Sequence, residues 1–157
     1  MTHVWKIGAY DTSYQTAGTR SAFYSAERSE TISSAMTSNL WTGTIGLMYP
    51  SDFGYASSGS TETCDSTVMY NWLESKDATA FAECVGNSWL YDSSKYQWTL
   101  TPRSDKTLSV FSVGSVGYVF GNNAYISDAA RPVLYLKANV VIVDGTGDRE
   151  DPYILSQ

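Results

Sequence analysis

The side chains able to do chemistry are few, and their spacing limits what that chemistry could be. The chain has one histidine, His3, beside its N-terminus. Ser–His–Asp and Cys–His catalysis both need an imidazole held firmly against the nucleophile, which a frayed end does not provide. Hydrolases of that logic are excluded. The carboxylates Glu62, Asp65, Glu74, Asp77 and Glu83 crowd the two cysteines, Cys64 and Cys84. Paired carboxylates can hydrolyse glycosides, but helix capping and solvated-surface roles explain Asp65, Glu74 and Asp77 without a cleft. A second acidic group, Asp144, Asp148, Glu150 and Asp151, lies in a Gly-rich turn and is the candidate site for calcium, although its spacing is not that of an EF-hand. Two cysteines and one histidine fall short of a four-ligand zinc site. The expectation is a protein that is not an enzyme and carries no cofactor.

Cys64 and Cys84 either close a loop of about 20 residues, worth about 3 kcal/mol of chain entropy, or remain as buried reduced thiols. Composition favours the bridge. Charged residues make up 17% of the chain, while 22 Ser, 16 Thr and 12 Tyr supply uncharged hydroxyls, a pattern common in secreted proteins. With 157 residues, of which 43% are hydrophobic, a single domain spanning 1–157 is expected to bury one core. The net charge of −6 and the scattered Lys and Arg leave no basic stripe, so nucleic acid and anionic membranes are not expected partners. Met1 to Trp5 lacks the features of a signal peptide. An extracellular or cell-surface location therefore implies that the natural chain is longer, with an export signal or anchor ahead of Met1.

The elements that must position these residues are short. Val4 to Tyr10 alternates apolar and polar residues and predicts a strand, as does Thr42 to Met48, which ends at Pro50. Arg20 to Glu30 predicts a short helix. Ser51 or Asp52 is expected to cap a helical turn through Ala56, and Asp65 or Ser66 to cap a helix with Val68, Met69, Trp72 and Leu73 on one face. Beyond Cys84 the pattern turns to β: Tyr96 to Thr101, then Thr107 to Val113 and Val116 to Phe120 as a hairpin around Gly114-Ser115. A Gly-Asn-Asn loop, strands over Arg131 to Lys137 and Val140 to Val143, and a last strand, Tyr153 to Leu155, complete the expected sheet. Trp72, Trp89 and Trp98 are expected in the core, and Arg131 in a structural role beneath the sheet surface. The fold class is α+β.

The run Trp98-Thr99-Leu100-Thr101-Pro102-Arg103-Ser104, with Val110-Phe111, Gly117-Tyr118-Val119 and Arg131-Pro132-Val133-Leu134-Tyr135-Leu136, resembles a family of uncharacterised bacterial surface domains. Their signature is similar to W-L-R-S-P followed by V-R-P-A-L-W-L. The resemblance covers roughly residues 41 to 155. It implies a C-type-lectin-like fold of the formylglycine-generating-enzyme branch, with mixed or antiparallel sheets, one or two short helices and one disulfide, Cys64–Cys84. The enzymes of that branch depend on reactive cysteines near the C-terminal core, and this chain has none after Cys84. The sugar-binding motifs of calcium-dependent lectins are absent as well.

The same scaffold is similar to the variable proteins of diversity-generating retroelements, whose changeable Tyr, Asn, Ser and Asp positions cluster before a C-terminal R-P motif. In this chain the corresponding window runs from 103 to 128. The resemblance implies a ligand face made by Arg103, Asp105, Ser112, Tyr118, Phe120, Asn122, Asn123, Tyr125, Ser127 and Asp128, extended by Tyr91 and Tyr96. Phe111, Val113 and Val119 alternate inward. Tyr offers large contact area at little entropic cost, and Asn and Ser offer adaptable hydrogen bonds. The implied function is an adhesin-type display module that binds a protein or a glycan. The alternative is a pilin-like or surface-layer structural subunit.

Overall fold

The computed structural model describes residues 2–146 and 151–156. Strand β1 (His3–Lys6) pairs antiparallel with β2 (Leu40–Gly43), placing Trp5 opposite Trp41. The strand expected to reach Tyr10 ends at Lys6. Beyond it the N–H groups of Ile7, Gly8 and Ala9 donate to carbonyls of Asn39, Glu27 and Thr31, so a helix end and the connection that follows it replace one ladder partner. The strand expected over 42–48 also divides. Its second part, β3 (Gly46–Leu47), pairs with β7 (Pro132–Val133) in a separate two-stranded sheet.

The helices lie between these strands. After α1 (Tyr14–Ala17), α2 (Arg20–Glu27) begins at Thr19, whose hydroxyl accepts from the Ala22 N–H as an N-cap. In α3 (Pro50–Tyr55) neither Ser51 nor Asp52 occupies the cap position. Tyr49 does, Pro50 opens the first turn, and the Asp52 carboxylate reaches back to the Tyr49 N–H at 2.8 Å. The helix expected to open at Asp65 or Ser66 is displaced upstream. Ser60 caps α4 (Thr61–Ser66), Asp65 is drawn away to Arg20, and the chain then extends into a single 3₁₀ turn, Met69–Asn71. Asp77 does cap α5 (Ala78–Ala80), which runs on into a π turn, Phe81–Val85. Cys64 and Cys84 are joined by a disulfide between α4 and that turn, with Cα atoms 5.6 Å apart, and both are fully buried. Among the described residues no helix is long and apolar enough to cross a membrane.

Three antiparallel strands make the main sheet in the order β4 (Gln97–Pro102), β5 (Ser109–Val113), β6 (Val119–Asn123). The β5–β6 connection is longer than the two residues expected, spanning 114–118, and it passes through Gly117, whose φ of +85° favours glycine and whose missing Cβ leaves room for Val85. As a result β6 starts three residues late. Gly121, Asn122 and Asn123, expected as a loop, continue the strand. The remaining strands depart further from expectation. Only Pro132 and Val133 of the 131–137 segment pair, leaving Leu134, Tyr135 and Leu136 about half exposed. β8 (Val141–Asp144) and β9 (Ile154–Ser156) do not complete the main sheet but form a separate hairpin.

The core gathers on the inner face of β5 and β6, where Phe111, Val113 and Val119 are fully buried as the alternation required. Phe111 meets Tyr14 and Phe23 edge-to-face, each with centroids 5.0 Å apart. Phe53, Met69 and Trp72 fill the space toward the helices. Trp89, expected here, is instead 76% exposed, because Leu90 takes the inward position at that turn.

Two ionic groups are buried with the apolar core. The Arg20 guanidinium donates to Asp65 at 2.6 Å and to the carbonyls of Gly54 and Thr61, tying α2 to α3 and α4. Glu27 has no solvent exposure, and its carboxylate accepts from the Ser51 N–H at 2.9 Å, from the Ser51 hydroxyl and from Arg28 at 2.9 Å. Burial nevertheless dominates and pushes this carboxyl up to about 7. The folded chain thus holds the proton more tightly than the unfolded chain, whose Glu titrates near 4.5. Stability from this group is complete below that value and is lost as pH rises through 7. At 1.36 kcal/mol per unit the loss is about 3 kcal/mol. Relative to Glu27→Gln, the wild type is expected to lose about that much between pH ~4.5 and ~8 in denaturant titrations; parallel pH profiles for the two proteins would contradict the assignment.

Candidate functional site

In the β5–β6 ladder Ser112 lies opposite Phe120 and Val110 opposite Asn122, so these four share the face turned away from Phe111. After β6 the chain folds back across that face. Ala129 donates its N–H to the Tyr96 carbonyl at 2.8 Å and accepts from Trp98 at 2.9 Å, so the segment ends alongside the free edge of β4. The crossing lowers Asp128 onto the sheet. One of its carboxylate oxygens accepts from Asn122 Nδ2 at 2.9 Å and from Ser112 Oγ at 3.2 Å. Ser112, expected on the ligand face, is therefore fully buried beneath Asp128.

Beside this polar cluster stand three rings: Phe120 in β6, Tyr118 in the turn just before it, and Tyr96 immediately ahead of β4. Phe120 stacks on Tyr118 with centroids 4.7 Å apart and an interplanar angle of 21°, and meets Tyr96 edge-on at 5.9 Å. Tyr96, Tyr118, Phe120, Asn122, Ile126 and Asp128 line an open groove of about 280 Å³. Burial pushes the Tyr118 phenol above its ordinary value, so it remains a neutral donor and acceptor through the physiological range. Asn123 donates to the Tyr125 hydroxyl at 3.0 Å. Tyr125 is 76% exposed, and Ser127 is exposed beside it.

Three expected members lie elsewhere. Arg103 packs against Gly121, which pairs with Phe111 on the inner face, and sits over the Tyr14 ring at 5.3 Å. Its two bonds to Asp105, at 3.0 and 2.6 Å, engage both carboxylate oxygens, so this pair braces the sheet edge away from the groove. Tyr91 donates to the Ser115 carbonyl at 3.0 Å and lines a separate cavity with Phe81 and Val116. Among the described residues Arg131 bonds a side-chain amide rather than a loop carbonyl or a carboxylate. Its Nε donates to Gln97 Oε1 at 2.9 Å under the end of β4. Sequence reasoning missed Ile126 in the groove wall and Tyr70, which meets Tyr118 edge-on at 5.9 Å. Ile126 lay inside the window and could have been taken for its bulk, whereas Tyr70 arrives from a distant 3₁₀ turn and left no local signal.

The groove can stack, exclude water and exchange hydrogen bonds. It holds no nucleophile with a base: His3 is part of β1, with its ring 3.9 Å from that of Tyr135. Of the acidic turn, Asp144 accepts from the Gly145 N–H and Asp151 from the Thr146 N–H, while Asp148 and Glu150 lie outside the described residues. Among the described residues no three His, Cys, Asp or Glu side chains come together to hold a metal. Comparison with family models, with curated proteins and with solved structures finds no match to this chain.

Asp128 is the acceptor that satisfies a buried hydroxyl. Asp128→Ala is expected to cost about 1–3 kcal/mol, read as a lowered denaturant midpoint; an unchanged midpoint would show that Ser112 is satisfied without it.

Proposed function

We propose that this domain is an extracellular recognition module that binds a protein or a glycan through the groove around Phe120. The observation that carries the reading is the grouping of Tyr96, Tyr118 and Phe120, open to solvent, against the Asn122–Asp128 pair. Rigid aromatic surface beside adaptable amides is the composition of evolved binding faces. The disulfide is compatible with an oxidising extracellular compartment. The α+β arrangement of antiparallel strands and short helices is consistent with a C-type-lectin-like fold of the kind that retroelements diversify. The segment 118–128 has the matching character, since Tyr118, Asn123, Tyr125 and Ser127 reach the surface without belonging to the inner core.

The test is a triple variant, Tyr118→Ala, Phe120→Ala and Tyr125→Ala, compared with the wild type on a glycan array and against a displayed library of cell-surface proteins. A ligand of the wild type is expected to lose at least about tenfold in affinity, or about 1.4 kcal/mol, while the circular dichroism of the domain is retained. Full binding by the folded triple variant would remove the groove from consideration.

A structural-subunit reading is favoured by one separate observation. The β8–β9 hairpin turns Val141, Ile142, Val143, Ile154 and Leu155 outward at about half exposure, on both faces. A lone two-stranded ribbon is marginal in water, and its unpaired edges accept further strands. In this reading a second copy of the chain covers it. Sedimentation is then expected to show an oligomer that Ile142→Lys with Ile154→Lys dissolves, whereas a wild-type monomer at high concentration would retire the reading.

A further inference from the structure

A second concavity, sharing no residue with the groove, has a different chemistry. It is a cleft of about 360 Å³ between α3, the turn carrying Trp89 and the segment after β7. Trp5, Met48 and Tyr49 form its buried floor, and Tyr55, Trp89 and Tyr135 its rim at 50%, 76% and 53% exposure. The remaining lining is aliphatic except for one charged side chain, Asp52.

The hydrogen-bonding capacity of this cleft is largely committed. The Trp5 indole N–H donates to the Gly43 carbonyl at 3.1 Å, and the Tyr49 hydroxyl donates to the Lys6 carbonyl. One Asp52 oxygen accepts from the Tyr49 N–H, and among the described residues the other has no hydrogen-bond partner in a side chain that lines the cleft. Two cations border the cleft without lining it: Arg28, held by Glu27 and the Tyr24 carbonyl, lies over the Tyr24 ring at 3.7 Å and the Tyr49 ring at 5.2 Å, and Arg20, held by Asp65, lies over the Tyr55 ring at 4.7 Å. Polar ligands such as sugars would surrender more hydrogen bonds to water than such a wall returns. An alkylated ammonium group has few or none to surrender. It is attracted by ring faces and by one desolvated carboxylate, which are what this wall presents.

We propose that the cleft binds a small alkylammonium group, with Asp52 as counter-ion and Trp5, Trp89 and Tyr135 as the aromatic wall. Trimethylammonium on a free metabolite, a modified peptide or a lipid headgroup shares this chemistry. The proposal does not depend on the groove around Phe120, whose loss in the triple variant would leave it intact.

The test titrates ¹⁵N-labelled protein with tetramethylammonium and with choline, following the indole N–H resonances of Trp5 and Trp89. The neutral isostere 3,3-dimethylbutan-1-ol serves as control. Saturable shifts are expected for both cations and not for the alcohol. Asp52→Asn keeps an acceptor for the Tyr49 N–H and so preserves the start of α3; it is expected to weaken binding about tenfold. Trp89→Ala, at an exposed position, is expected to weaken it several-fold with an unchanged fold. Co-sedimentation with phosphatidylcholine vesicles would assign the cation to a lipid, and failure to sediment to a soluble or peptide-borne source, both within the proposal. Equal shifts by the alcohol, or undiminished cation binding by Asp52→Asn and Trp89→Ala, would overturn it. If Asp52→Asn did not fold, the alcohol control and Trp89→Ala would still decide.

Discussion

A carboxylate with no access to water constrains the arrangement of the helical half. Glu27 closes α2, and its oxygens take up the N–H and hydroxyl of Ser51 in the first turn of α3. The first-turn donors of a helix have no partner within the helix, and negative charge is favoured at that end. One side chain therefore satisfies α3 and fixes the distance between two helices separated in sequence by more than twenty residues. Removing the carboxylate would strand donors in the core. Keeping it costs desolvation, which is why its proton is retained to near neutrality. From the position so fixed, α3 presents Phe53 to the core and Asp52 and Tyr55 to the cleft.

The sheet obeys a different constraint. Phe111 lies where Tyr14 and Phe23 converge, so β5 cannot slip by one residue without turning that ring to solvent. With β5 in register, the opposite face must carry Val110 and Ser112, and β6 must place Phe120 and Asn122 beside them. The groove is the reverse side of the core. Its position follows from burial of Phe111, and its character follows from which residues occupy the alternate positions.

What was legible in the sequence divides along the same line. Alternation gave the inward side chains of β5 and β6 and the outward rings because local period-two patterning is enforced by a core on one side. The start of α2 at Arg20 and the Asp77 cap were readable for a similar reason, since local signals act within three residues. Failures arose where a distant partner decided the outcome. Asp65 reads as a cap, yet a buried guanidinium 45 positions earlier claims it. Ser112 reads as outward, which it is, but a crossing segment that no periodicity announces covers it with Asp128. Glu27 offered no sign of burial because Glu is almost never fully buried. Leu134 to Leu136 reads as core strand, but β3 is two residues long and leaves nothing further for β7 to pair with.

The ties that hold the fold and the groove proposed for recognition consequently lie in different parts of the chain. The disulfide, the Arg20 hub and the Glu27 bridge all join helices or turns between residues 18 and 85. The groove lies between 96 and 128 and meets the core through the inner face of its strands and through Phe120, which packs against it. Tyr118, Asn123, Tyr125 and Ser127 can therefore change without disturbing any of those three ties. Additivity holds best between sites that share no partners, so substitutions at these positions are expected to leave those three ties and the fold they hold little changed. Asp128 is the exception within the window, because a buried hydroxyl depends on it. A surface meant to vary would hold that residue fixed and change the rings and amides around it.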